Sequence, residues 1–550
     1  MVGALACAWL ALTPSLLPRS AVFQGALCAV SAVIGYGIGA LLGWVLRATG
    51  LRLTGKIRRG VWIALLSVAV AGSVAMLILA HSWQQAQRSA LGMEPASSAS
   101  PIIAVLVGIA VFAFLIIVCR AILALVHLIR NRLHRRLPAQ AATWVAIVAV
   151  AVCATWLGRE LLVGTGAAVL DRAYLAVNDE FTTDVAAPML EEVSGGPGSS
   201  ESWESLGRQG RIFIANTPTR ESIEQFAAAQ SSPLQGDSVK QPIRVYIGGG
   251  TQGEIDLQAE AERAVAELER TGGFDREVLN VVTGTGRGWV NENQAAGLEF
   301  MWAGDTATVS MQYSYLPSWM SYLVDEHRAR DAGRLLFDAV YARWQELPAT
   351  ERPRLVVSGE SLGSFGSEGA FSGAQDLAQR TDGALWVGPT ANNLLWQQFT
   401  AEREPGTAVY LPVFDGGATV RFSADGAEWE GAGPWTSPRV GYLQHANDPV
   451  TWLDPSIVFE RPDWLSDEAN RGPGVPDAMV WLPLITVLQL GVDQLASGVP
   501  AGQGHEFGQA PAVAWATILP PEDWQSTDTD RLVAELAQRE VTHLGSSSTE

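Results

Sequence analysis

The chain has 550 residues and a formal net charge of −19, from 37 Lys+Arg against 56 Asp+Glu. That is more chain than one ordinary domain needs, so two or three are expected. The charge is also unevenly placed: residues 1–165 hold 13 Lys+Arg and 2 Asp+Glu (+11), the remainder 24 and 54 (−30), and a part so acidic would repel a phosphate backbone, which argues against nucleic acid as a partner. The four cysteines, Cys7, Cys28, Cys119 and Cys153, all lie in the basic third, leaving the acidic part without disulfides, a thiolate metal site or a cysteine nucleophile.

Apolar runs at 2–18, 21–46, 61–81, 102–128 and 143–163 predict an N-terminal all-α transmembrane domain over 1–165, with four to five spans. The last four can each cross a hydrocarbon core of about 30 Å, which takes about 20 residues. The first, with Pro14 and Pro18 at its end, reads as a short span or an interfacial segment. No basic stretch precedes it and more spans follow, so a cleaved signal peptide is not expected. Gly35, Gly39 and Gly43 recur every fourth residue and leave one helix face bare for close packing. Basic residues crowd two loops, one with Arg47, Arg52, Lys56, Arg58 and Arg59, the other with Arg130, Arg132, Arg135 and Arg136, whereas 82–101 offers only Arg88. Putting the basic loops in the cytoplasm makes a multi-pass plasma-membrane protein whose acidic domain is extracytoplasmic.

Residues 166–240 form a connector with a loop at Gly195–Ser200. From 241 to 550 short β-rich runs (243–247, 278–282, 306–312, 354–357, 384–387, 440–444) alternate with helix-period stretches (257–270, 326–346, 373–380). Continuous apolar strands between amphipathic helices predict a mostly parallel sheet covered on both faces. The apolar run 478–496 contains Pro483, Gln489 and Asp493 and reads as a buried or lid-like helix.

After the strand at 354–357, Gly359, Ser361 and Gly363 make a G-x-S-x-G pattern. A serine nucleophile needs a strained strand-to-helix turn, and small residues two positions either side allow it. The backbone N–H of Leu362 would be one oxyanion donor. The serine needs a base, held by a carboxylate, and in this arrangement the chain order is Ser, Asp or Glu, then His. Three histidines follow Ser361. His543 sits close to the end of the chain, in an expected frayed tail. His505 sits in a Gly-rich loop suited to carrying a catalytic ring, and His445 directly follows a strand. Asp448, in the loop after that strand, is the expected acid and Asp415 the runner-up. His445 is then a substrate-binding or supporting residue, or the base itself should His505 prove remote. Thr283, Gly284 and Thr285, in the small-residue loop after 278–282, are candidates for the second oxyanion donor, with Gly248–Thr251 as the other stretch. Neither matches a phosphate-binding fingerprint, and no cofactor or metal motif is present.

At Leu12–Arg19, Leu206–Arg211, Pro242–Tyr246, Gly359–Ser364, Tyr442–Pro449 and Gly504–His505 the chain resembles the actinobacterial membrane-anchored α/β-hydrolase family. The resemblance implies a multi-span N-terminal region before an α/β-hydrolase catalytic domain, with Ser361, Asp448 and His505 as a triad.

The expected activity is cleavage or transfer of an acyl ester of a lipid or cell-envelope substrate. An acidic domain would steer cationic substrates toward itself. Trp289, Trp302, Trp319, Trp396, Trp435 and Trp452 are core residues or groove-lining ones. The competing expectation is a non-enzymatic membrane protein whose hydrolase-like domain binds partners or gates the helices; a broken triad would be its mark.

Overall fold

The computed structural model describes residues 1–49, 55–162, 174–175, 177–182, 185–232, 238–249, 255–466 and 470–539. The expected boundary at 165/166 and His543 lie outside them. Two compact units result: one joins 1–166 with 453–465 and 474–500, the other joins 167–452, 466–473 and 501–550.

The first unit is helical: α1 (Val2–Leu10), α2 (Ala21–Ala48), α3 (Gly55–Ala90), α4 (Ser100–Leu133) and α5 (Ala139–Leu162). The last four contain stretches long and apolar enough to cross a membrane. Their outward side chains include Leu41, Trp44, Leu66, Ile78, Leu106, Phe114, Ile117, Trp144 and Trp156. So dense an apolar surface suits lipid, not water. Helix α1 has nine residues and rises only about 13 Å, less than the hydrocarbon thickness. The first apolar run is therefore a short helix followed by an irregular, largely buried stretch from Ala11 to Arg19. The bare glycine face is used in part. Gly3 of α1 lies against the backbone of Gly35 and Gly39, while Gly43 meets only the Arg47 side chain.

The sequence places 474–500 within the 241–550 hydrolase region; in the structure it packs within the helical unit. Its helix Ile485–Asp493 puts Ile485 into a core with Ala11 and Leu27, with Leu488 and Val492 alongside. Gln489 donates to the Thr13 carbonyl at 2.9 Å. Asp493 Oδ1 accepts from Arg19 Nε at 2.7 Å, both side chains being almost fully buried. Polar residues within that apolar run are thus explained by partners far away in sequence.

The second unit is built on seven parallel strands: β1 (Ile243–Ile247), β2 (Val278–Thr283), β3 (Thr306–Met311), β4 (Arg354–Glu360), β5 (Gly383–Val387), β6 (Val420–Ser423) and β7 (Arg439–Leu443). Their order is β1-β3-β2-β4-β5-β7-β6. Strand residues are buried on both faces, the pattern that helices on both sides impose. The covering helices include α6 (Leu257–Thr271), α7 (Glu292–Met301), α8 (Ser318–Glu346), α9 (Leu362–Glu368) and α10 (Ala510–Ile518). Six strands fall where alternation predicts them. Edge strand β6 does not: it has four residues, too few for a period to register, and Arg421 within it is held by the carbonyls of Gly417 and Gly433.

Candidate active site

The central strand β4 ends at Glu360 and α9 begins at Leu362, so Ser361 alone makes the turn, at φ 54°, ψ −124°. A non-glycine residue at positive φ carries strain. It is held there because Ser361 N–H donates to Val387 O of β5 at 2.9 Å and its own carbonyl accepts from Ser364 N–H at 3.0 Å. The flanking glycines are there for space. A side chain on Gly359 would strike the Gly363 carbonyl, and one on Gly363 would strike the carbonyl of Thr283.

Thr283 ends β2, in register with Gly359 on the neighbouring β4. The backbone of Thr283 and Gly284 therefore lies against the start of α9. Thr285 N–H is occupied by the Trp289 carbonyl at 2.9 Å, and Gly288 N–H bonds Thr285 O at 2.8 Å, closing that loop on itself. Of the alternative stretch Gly248–Thr251, residues 250 and 251 lie outside the described residues.

Asp448, wholly buried, follows β7. Its Oδ1 accepts from Val450 N–H at 2.8 Å. Its Oδ2 accepts from Thr451 Oγ1 at 3.2 Å and from His505 Nδ1 at 2.7 Å. With Nδ1 protonated toward the carboxylate, Nε2 of His505 is the basic nitrogen. The ring sits beside the ends of β4 and β5. It occupies the space where a Gly388 side chain would stand, one residue after Val387, and it is electrostatically coupled to Glu360. Burial alone would lower its pKa; the Asp448 charge and hydrogen bond, with Glu360 and Glu506, outweigh that and raise it to about 9.

The loop carrying His505 is clamped by the loop after β7. His445 Nδ1 donates to Gly504 O at 2.7 Å. Asn447 accepts from Gly504 N–H at 2.9 Å and donates to Gln503 Oε1 at 2.9 Å. Phe507 stacks on His445, centroids 4.4 Å apart, and meets His505 edge-on at 5.7 Å. Burial pushes the His445 pKa down, which suits a neutral ring. Asp415, by contrast, is exposed in a turn leading to β6. Trp396 and Trp452 pack edge to face at 5.8 Å beside the acid loop, and Trp435 is buried in the core.

Three contributors escape pattern reading. Glu360, the variable residue of the G-x-S-x-G pattern, is buried and accepts from Asn291 Nδ2. Burial, against the pull of His505 and Asn291, raises its pKa to about 7. Asn291 Oδ1 also caps α7 by accepting from Gln294 N–H at 2.9 Å, so it ties the loop after β2 to the elbow. Gly388, at φ 52°, admits the imidazole. The adjacency of Glu360 to Ser361 was the only hint available; the other two emerge once β2, β4 and β5 lie side by side.

A parallel, doubly covered sheet with a serine elbow on its central strand defines a protein of α/β-hydrolase fold. A family model described as "Alpha/beta-hydrolase family" matches residues 243–532, and one described as "Alpha/beta-hydrolase family N-terminus" matches residues 12–218. The chain belongs to this α/β-hydrolase family. Searches among curated proteins and among solved structures each found no match.

Proposed function

We propose that the chain is a membrane-anchored serine hydrolase that cleaves or transfers an acyl ester of a lipid or cell-envelope substrate. The observation that carries this reading is the 2.7 Å bond from His505 to the buried Asp448, with the imidazole beside the strands that hold Ser361. His505 Nε2 takes the Ser361 proton as Oγ attacks the ester carbonyl. The N–H groups of Leu362 and Gly284 meet the oxyanion. As the tetrahedral species collapses, His505 returns the proton to the departing alcohol. Water, or a second alcohol, then attacks the acyl-serine by the same route reversed. The Asp448 carboxylate steadies the imidazolium through its bond to Nδ1.

The four apolar helices and the two basic loops support an anchor with the catalytic unit on the extracytoplasmic side of the plasma membrane. A surface-bound catalyst of this kind meets ester substrates that reside in or next to the bilayer. The test is labelling with a serine-directed fluorophosphonate together with turnover of short and long p-nitrophenyl esters. Labelling and turnover lost in Ser361→Ala are expected. Equal labelling of both proteins overturns the reading and favours a binding or gating role.

A further inference from the structure

One face of α3 changes character along its length. Leu77, His81, Gln84 and Arg88 are four, three and four residues apart, so they stack on one side of the helix and run from apolar to polar. They border a half-open cavity of about 320 Å³, within the size range of small-ligand sites. Leu12, Leu77, Ala80 and Ala104 supply an apolar part, while Arg88, Glu94 and Ser97 stand on the polar side. The cavity therefore lies where the apolar stretch of α3 gives way to polar sequence, at the end of the bundle away from the basic loops.

The charges in its wall are not all spent. Arg19 is engaged by Asp493, Gln24 and Ser15. Arg88 donates one bond, from Nη1 to the Glu94 carbonyl at 3.2 Å, and its buried Nε has no hydrogen-bond partner among the described residues. The Glu94 carboxylate is exposed and forms no ion pair among the described residues. One cation and one anion thus face an amphipathic hollow with no net charge left over. Among the described residues no Phe, Tyr or Trp lines it, although a quaternary ammonium is held by the faces of such rings.

We propose that this cavity binds the headgroup of a zwitterionic phospholipid of the ethanolamine class. The phosphate sits on the Arg88 guanidinium and the primary ammonium on Glu94. The glycerol and upper acyl chain lie along Leu77, Ala80 and Ala104. The inference rests on the membrane reading of the helices and is independent of the hydrolase chemistry.

The test uses the full-length protein in detergent, mixed with phosphatidylethanolamine, phosphatidylcholine or phosphatidylglycerol, with bound lipid counted by native mass spectrometry. Phosphatidylethanolamine should be retained about tenfold over the other two, the factor one charged contact is worth. Glu94→Gln should bring it down to the phosphatidylcholine level, and Arg88→Ala, which removes the phosphate contact common to all three lipids, should lower the retention of each. Ala80→Trp, which fills the hollow, should remove it. Fluorophosphonate labelling of Ser361 in these variants should stay at the wild-type level, so that a failure of this site is distinguishable from a failure of the hydrolase reading. Equal retention of the three lipids, a preference for phosphatidylglycerol, or undiminished phosphatidylethanolamine in both charge variants overturns the proposal. Capture of free phosphoethanolamine as strongly as the lipid overturns the membrane as its source.

Discussion

Gly388 has no room for a side chain because the His505 imidazole fills the place where its Cβ would stand. Its φ of 52° also disfavours any other residue. Gly388→Ala should therefore displace the ring from its place beside the ends of β4 and β5 while leaving the sheet intact. The expected outcome is a loss of roughly 100-fold or more in kcat, the scale of a base misplaced by about 1 Å, with an unchanged far-ultraviolet circular dichroism spectrum. A near-normal kcat would mean that the ring does not work from this position.

Asp448→Asn keeps the shape of the loop but removes the charge that orients and stabilises His505. A drop in kcat of about 10³ to 10⁴ is expected on the analogy of a triad carboxylate, measured with an activated ester. A drop of less than about tenfold would point to another acid.

The pH dependence of turnover follows from the His505 pKa of about 9. On the proposed mechanism the ring must be neutral to accept the serine proton, so kcat/KM should rise with pH up to that region. Glu360→Gln takes away a neighbouring negative charge that favours imidazolium, and should move the limb to lower pH. A limb unmoved by this change would separate Glu360 from the base.

Stability should move in the opposite sense to that of an ordinary paired carboxylate. Glu368 is fully buried, accepting from Asn393 and Tyr442 at 2.8 Å each and from Leu395 N–H at 3.0 Å. Burial, against these bonds, raises its pKa from 4.5 to about 7. The native state holds a proton that the unfolded chain has lost, so this contribution is full below 4.5 and fades as pH rises toward 7. The change is on the order of 3 kcal/mol. Melting temperature should fall across that window, and less steeply in Glu368→Gln. The same slope in both proteins would remove the assignment.

Within the helical unit, Asp493→Ala leaves the Arg19 guanidinium buried without its counter-charge. Such a loss costs about 3–5 kcal/mol, and thermal unfolding in detergent should register it. Replacing both members with leucine should recover much of the deficit. No recovery in the double variant would mean that the pair serves more than its own neutralisation.

Six strands were readable in the sequence because each is a short run dominated by apolar and β-branched residues and bounded by turn formers, as burial on both faces favours. The elbow was readable because close approach of strand and helix forces glycine at 359 and 363. Chain order and loop position made Asp448 and His505 the leading candidates, with Asp415 and His445 left open; the bond between them comes from the structure. What escaped was set by distant contacts. Val420–Ser423 becomes a strand only because β7 lies beside it. Asn291 gains a role when the loop after β2 reaches Glu360. Asp493 looked like a polar flaw in an apolar helix until Arg19, hundreds of residues earlier, supplied its counter-charge.

The helix Ile485–Asp493 also bears on how this protein can be handled. Because the chain leaves the hydrolase unit after Trp452 and the apolar side of 485–492 is covered by Ala11 and Leu27, deleting the first 165 residues would not yield a clean soluble hydrolase unit. It would strip Ile485 of its cover and strand Asp493 without Arg19. A water-soluble version calls for removing the amino-terminal helices together with 453–465 and 474–500, the two segments that pack with them.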